Sequence, residues 1–202
     1  MKIGILACSV FEPELEKVLQ DIKIKQLFKD NIEVTYLHFG LHTNLDKLEK
    51  DVTASLDKLT LEYDQVIILY GSKCHYRFFE FLKKYNNIIT IKPANCLEAI
   101  IGDKVVESYV EGKDIYLTSG WVEKFDEFSN SVDNYDRLNQ FGMYENAIIG
   151  DTGVIKITDE MIFDLYEKIQ VPVEVEPVDI NIFENLIIDA IKKAINAPQK
   201  AK

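Results

Sequence analysis

Cysteine is scarce in this chain of 202 residues: there are three, Cys8, Cys74 and Cys96, spaced far apart. An odd count with no Cys-x-x-Cys pair argues against a disulfide framework and against a ribbon or ferredoxin type of metal spacing. Long apolar runs are also lacking. None approaches the roughly 20 residues that span a bilayer. The N-terminal run Ile3 to Cys8 is too short for a signal peptide, and Glu12, Glu14 and Glu16 follow it at once. Positive charge is in deficit, with 23 Lys+Arg against 34 Asp+Glu and a net charge of −11. That balance disfavours nucleic acid and anionic membrane as partners, since phosphates need a concentrated positive surface. The glycine-rich phosphate cradles are absent too. Gly71-Ser72-Lys73 lacks P-loop spacing, and no G-x-G-x-x-G follows the first apolar run. Together these absences leave a cytosolic protein in a reducing compartment as the expectation.

The residues that are present pattern clearly in the first half. Hydrophobic residues make up 47% of the chain, enough for a full core. Ile3 to Cys8 and Val66 to Leu69 read as strands buried on both faces, the kind that parallel sheets contain. Ile32 to His38 alternates as a second strand, and Ile88 to Ile91 is a fourth, stopped by Pro93. Helical spacing connects them: Leu15, Val18, Leu19 and Ile22 after the first strand, then Leu45, Leu48, Val52, Leu56 and Leu59 after the second. Strand and helix alternate, so the expected fold is α/β, a doubly wound, mostly parallel sheet flanked by helices in three layers. Residues 1–196 are expected to form a single domain and 197–202 a frayed tail. Beyond Gly102 the elements are short. Val105 to Val110 reads as a strand or hairpin arm, Ile115 to Leu117 and Ala147 to Ile149 as strands. Helices are expected over Asp133 to Phe141, Asp159 to Ile169 and Ile180 to Ile195. Val171 to Val178, bounded by prolines, is expected to be an edge strand, antiparallel to its neighbour.

The chemistry-bearing residues fall at strand ends. Cys8 closes the first strand, Cys74 follows the third and Cys96 the fourth; His38 and His42 follow the second, and His75 adjoins Cys74. Open α/β sheets bind ligands beyond the carboxyl ends of their strands. With strand order 2-1-3-4, strands one, three and four are neighbours about 4.8 Å apart, so the three cysteine loops converge. Three thiolates with a fourth position open suit a catalytic metal. Zinc, with water, His42 or His75 as fourth ligand, is one form, and an iron–sulfur cluster with one exposed iron is another. Without a metal, Cys74 beside Lys73 and His75 at a helix start reads as a low-pKa thiolate nucleophile. Each cysteine also reads as a small buried hydrophobe.

Glu98, two residues after Cys96, is a candidate acid or base, with His42 a second. Thr118-Ser119-Gly120-Trp121 follows a strand and opens a helix, so Thr118, Gly120 and Trp121 are candidates for a cofactor or anion site. Asp151-Thr152-Gly153 is a single copy of the aspartic-protease triplet and cannot supply that enzyme's dyad. The site residues are therefore metal ligands Cys8, Cys74 and Cys96 with Glu98 and His42 as acid–base groups, or a metal-free pocket for a small molecule.

Several segments together resemble the uncharacterised bacterial and archaeal family catalogued as domain of unknown function 1638. They are Ala7-Cys8, Leu41-His42-Thr43-Asn44, Tyr70-Gly71 through Cys74, Asn95-Cys96-Leu97-Glu98, Leu117-Thr118-Ser119-Gly120-Trp121 and Asp151-Thr152-Gly153. Asn95 stands where the family usually has histidine, which removes an auxiliary histidine ligand, and Ser119 stands where proline is common. The resemblance implies a family without an established activity whose members are often encoded among corrinoid-dependent methyl-transfer systems. Metal, cobalamin or thiol chemistry, as an accessory factor or an enzyme, is what it leads one to expect. From the residues themselves, a small-molecule ligand in the strand-end crevice is expected, and the acidic surface offers a basic protein partner as another reading. The D-x-H-x-x-G pattern of a cobalamin-binding domain is absent.

Overall fold

Lys2–Cys8 forms strand β1, buried on both faces from Ile3 to Ala7, as its unbroken apolar run requires. In the computed structural model, which describes residues 1–131, 138 and 141–198, β1 lies inside a parallel four-stranded sheet. Its neighbours are β2 (Asn31–Leu37) and β3 (Gln65–Leu69), and β4 (Ile88–Thr90) lies beyond β3, giving the order β2-β1-β3-β4. This is the order on which convergence of the cysteine loops depends. The crossovers carry α1 (Glu12–Ile24), with Pro13 in its first turn, and α2 (Leu45–Glu62). Asn44 caps α2 by accepting a hydrogen bond from the Lys47 N–H at 3.0 Å. Two short helices follow, α3 (Phe78–Leu82) and α4 (Cys96–Ile101).

The second half builds a separate sheet. It contains α5 (Asp103–Glu111), β5 (Asp114–Thr118), α6 (Ser119–Glu123), α7 (Phe125–Ser131), β6 (Asn146–Asp151), α8 (Asp159–Ile169), β7 (Val173–Pro177) and α9 (Asn181–Asn196). Its strand order is β5-β6-β7, all parallel. The α/β class with parallel sheets flanked by helices holds, but three details of the sequence reading do not. The strands form two sheets where one was expected. β7 pairs parallel with β6, because α8 carries the chain back across the sheet before β7 begins. Residues 105–110 are helical: Val105 is fully buried while Val106 is exposed, so one face meets the core and helical burial outweighs β-branching. The helix expected over Asp133 to Phe141 falls largely outside the described residues.

Alternation in β1 and β3 divides the interior between two faces. Leu6, Val66, Ile68 and Tyr70 pack under α2 and α3, against Leu48, Val52, Leu56 and Phe78. Ile3, Ile5, Ala7, Ile67 and Leu69 face the other way, into a core shared with α1, α4, α9 and the second sheet. Here α9 crosses from the second half to cover β3 and β4. The rings of Phe11 and Phe183 stack at 5.5 Å where α9 meets the chain just before α1. The carboxyl end of β1 is thereby fixed beside the start of α6. No described helix is long and apolar enough to cross a membrane.

Candidate functional site

The three cysteines line a common cavity. Cys8 at the end of β1, Cys74 in the turn after β3 and Cys96 at the start of α4 line one cavity of about 30 Å³. Val10, Phe11, Phe39, Leu69, Tyr70 and Trp121 complete the wall. Backbone contacts position the sulfurs. The Lys73 N–H donates to the Ala94 carbonyl at 2.9 Å, and the Cys74 N–H donates to that of Gly71 at 3.0 Å. These bonds lace the loop after β3 to the loop after β4. Asn95 then caps α4 by accepting from the Glu98 N–H at 2.9 Å, which sets Cys96 in the first turn. The Cys8 thiol donates a weak bond to the Phe39 carbonyl at 3.8 Å. Trp121 closes the far side, edge-on to Phe39 at 5.4 Å and to Phe128 at 5.6 Å.

All three are free thiols, half-buried as whole residues, but their sulfurs face a nearly apolar cavity. Burial pushes Cys8 up to about 12, and charge on Cys74 would push it further. Cys96 rises for the same reasons, burial first and then Cys8 and Cys74, with Trp121 opposing; burial likewise raises Cys74. The thiols are therefore protonated at neutral pH. This overturns the reading of Cys74 as a low-pKa nucleophile. The helix after it begins only at Phe78, and Lys73 pairs with Glu98 at 2.7 Å. His75, buried, accepts from the Arg77 N–H at 3.0 Å and sits 3.6 Å from Glu49.

Of the other candidates whose side chains are described, Glu98, Thr118 and Gly120 stand outside the cavity wall and Trp121 lies in it. Glu98 bridges loops: one oxygen takes Lys73 and the other accepts from the Ala94 N–H at 2.8 Å. Partial burial would raise its pKa, but Lys73 and the Ala94 amide outweigh it and hold it below the usual value. The backbone of His42 lies in the 3-10 turn Phe39–Thr43. His38, at the head of that turn, accepts from Gly40 and faces Glu127 at 2.5 Å. Thr118 is fully buried and caps α6 by accepting from the Trp121 N–H at 3.4 Å. At Gly120 the two halves approach closely: a Cβ there would lie 2.0 Å from the Val10 carbonyl oxygen. Asp151 accepts from the Gly153 N–H at 2.8 Å in a turn.

Two polar groups escaped the sequence reading. Tyr70, 4% exposed, lies on the cavity wall beside the thiols, and burial, with Cys8 next in effect, raises its hydroxyl well above the usual phenol value. Its only signal was its place between Leu69 and Gly71, which reads as strand packing. Glu14, fully buried in α1, takes a bond from the Thr152 hydroxyl at 3.2 Å near Ser119, and its second oxygen has no partner. Burial raises its pKa despite these bonds, and Glu123 adds to the rise. A carboxyl raised on folding binds its proton more tightly in the native state. Its stabilising contribution is complete below the ordinary carboxylate value and fades as pH climbs through the raised one. Glu14→Gln keeps the acceptor and removes the charge, so it is expected to stabilise the protein by about 1 kcal/mol near pH 8 and to flatten the pH dependence. Thermal melts of both proteins across that range check this; parallel curves for wild type and variant would refute it.

Elsewhere, a depression of about 1040 Å³ forms an open groove along α1 and β2 lined by Glu16, Lys17, Lys23 and Tyr36, with no cysteine. Among the described residues, no three His, Cys, Asp or Glu side chains are placed so as to hold a metal ion.

A family model described as "Protein of unknown function (DUF1638)" matches residues 36–187, a stretch that includes Cys74 and Cys96 and begins after Cys8. No curated protein matches the chain. Among solved structures, a LacI family transcription regulator from Clostridium acetobutylicum is 14% identical, with 96% of this chain and 92% of that one covered and a TM-score of 0.45. A sugar transporter from Clostridium phytofermentans is 10% identical, with coverage of 98% and 94% and a TM-score of 0.38.

Proposed function

We propose that this chain, which belongs to the DUF1638 family, holds a single soft metal ion between Cys8, Cys74 and Cys96 in a reducing, cytosolic setting. The observation that carries the reading is the meeting of three thiols, from three separate strand-end loops, on one small cavity. Thiolates select zinc and other soft or borderline ions. The ligand spacing required is not met by the side chains as they stand, so binding calls for rotation about χ1, which sweeps a cysteine sulfur by about 3 Å between staggered positions. The volume discriminates between the metal forms. A space of about 30 Å³ matches the share of one water molecule in the liquid, roughly 30 Å³. That suits one ion better than an iron–sulfur cluster, and it is far below the roughly 300 Å³ of a site for a drug-sized molecule.

A bound ion would supply a Lewis acid with a fourth position open to an exogenous ligand. The protein's own part is to line the cavity with apolar walls, through Phe39, Leu69 and Trp121, and to present three thiols that would give up their protons to a bound ion. A role in methyl transfer, as enzyme or accessory factor, is the reaction class that the family resemblance adds. Elemental analysis of anaerobically purified protein tests the site. About one zinc, iron or cobalt per chain, lost when the cysteines become serine, is the expected result; sub-stoichiometric metal, indifferent to those substitutions, would sink it.

A further inference from the structure

The outer edge of the first sheet carries an inference that is independent of the cysteines. β2 ends the strand order, so only its inner side is paired, to β1. The Asn31 N–H donates to the Met1 carbonyl at 3.3 Å, and backbone direction alternates along a strand. Asn31, Glu33 and Thr35 therefore bond to β1, and the N–H and C=O groups of Ile32, Val34 and Tyr36 point outward. Among the described residues, none gives these outward groups a hydrogen-bond partner.

Open edges invite pairing, and proteins blunt them by shortness, charge, proline or bulges. β4 has three residues, and β7 carries Glu174, Glu176 and Pro177. β2 has neither defence. It runs seven residues in unbroken register with β1, without proline or lysine. Its one charge, Glu33, accepts from the Tyr63 hydroxyl at 2.7 Å and the Asn31 amide at 2.6 Å. Beside the edge lies the groove of α1, where Leu19 joins the half-buried Ile32 and Val34. Charge is divided along that groove, because α1 runs against the strand direction. Glu16 sits at the Tyr36 end, accepting from its hydroxyl at 2.9 Å, and Lys23 lies towards the Ile32 end. Two other charges there are already committed, Lys17 to Asp21 and Asp30 to the N-terminal amine.

We propose that β2 pairs antiparallel with β2 of a second copy of this chain, about a two-fold axis at Val34. In that register Ile32 faces the partner's Tyr36 and Val34 faces the partner's Val34. Each outward residue thus meets another outward residue and exchanges both backbone bonds with it. An axis at Val34 is the one that engages the outward groups of all three residues. The same axis turns Glu16 towards the partner's Lys23 at one end of the groove and Lys23 towards the partner's Glu16 at the other, so the charges are self-complementary.

The test is sedimentation of the full chain, under reducing conditions so that no disulfide links two copies, over a range reaching about 100 µM. Wild type is expected at twice the chain mass. Val34→Pro removes the central donor from both copies, and an outward N–H on an edge strand is where proline is tolerated. Its dimer should dissociate about a hundredfold more readily, for two backbone bonds lost. Glu16→Lys should weaken the dimer about tenfold, and adding Lys23→Glu should restore it, which damage to the fold would not do. In wild type, amide exchange at Ile32, Val34 and Tyr36 should slow as concentration rises, while the Glu33 and Thr35 amides stay protected throughout. If Val34→Pro does not fold, the charge-reversal pair and the exchange rates decide. A wild type still monomeric at the top of the range would overturn the proposal and leave this edge to a different partner. A dimer indifferent to both the proline and the charge reversals would overturn it as well, as would exchange at Ile32, Val34 and Tyr36 that ignores concentration.

Discussion

Gly71→Ala is expected to destabilise the protein by about 3 kcal/mol, lowering the melting temperature by roughly 9 °C for a domain of this size. A Cβ at Gly71 would sit 2.1 Å from the Ala94 carbonyl oxygen and 2.7 Å from that of Pro93. Both obstacles are backbone, so no rotamer change relieves the clash. The loops must part, and the Lys73 to Ala94 hydrogen bond of 2.9 Å goes with them. That bond helps set the spacing between Cys74 and Cys96, so the variant should also lose metal retention. Gly120→Ala creates the same kind of clash next to Trp121, 2.0 Å from the Val10 carbonyl oxygen, and should lower the melting temperature alike. Calorimetry of both variants checks the pair. Melting temperatures within a degree of wild type would mean that these loops yield freely and that their close approach does not shape the cavity.

Replacing any one of Cys8, Cys74 or Cys96 by serine is expected to weaken metal binding at least about a hundredfold, since two remaining thiolates no longer close a site around a soft ion. Glu98→Gln should leave metal content unchanged, because that carboxylate is committed to Lys73 and the Ala94 amide. The pH dependence has a definite sign. Burial holds the thiols protonated at neutral pH, so uptake releases protons and affinity should climb as pH rises. Competition with a chelator of known affinity at several pH values reads both effects. Equal affinities for wild type and all three serine variants would remove the cysteines from any metal role. Cys8 is the informative member, since it lies outside the stretch that matches the family model. If Cys8→Ser alone kept full affinity, the site would be built from Cys74 and Cys96 with a different third ligand.

The first four strands were legible because each announces itself locally. Ile3 to Ala7 and Val66 to Leu69 are unbroken apolar runs, and such runs belong inside parallel sheets. The periodic helices α1 and α2 were equally plain. Residues 105–110 were not, since Val105 and Val106 together suggest a strand, and only the core touching Val105 alone makes the segment helical. The placement of the cysteines at strand ends was readable, and from it their convergence, given the right strand order. The state of the thiols was misread for Cys74. The adjacent Lys73 and His75 implied a lowered pKa, but in space those two side chains belong to Glu98 and to Arg77 and Glu49.

By itself, then, the sequence determined which segments are strands and helices in the first hundred residues and which loops carry the sulfurs, because periodicity and chain breaks are properties of neighbours along the chain. Tertiary structure alone decided that the strands divide into two sheets, that Trp121 reaches the cavity of Cys8, Cys74 and Cys96, and that Tyr70 is buried on its wall. The physical reason is the range of the interactions. Desolvation and hydrogen-bond satisfaction depend on what packs against a group, and here the Cys8 thiol finds its acceptor at Phe39, two elements further along the chain, while Cys96 meets Trp121 from the second half of the fold.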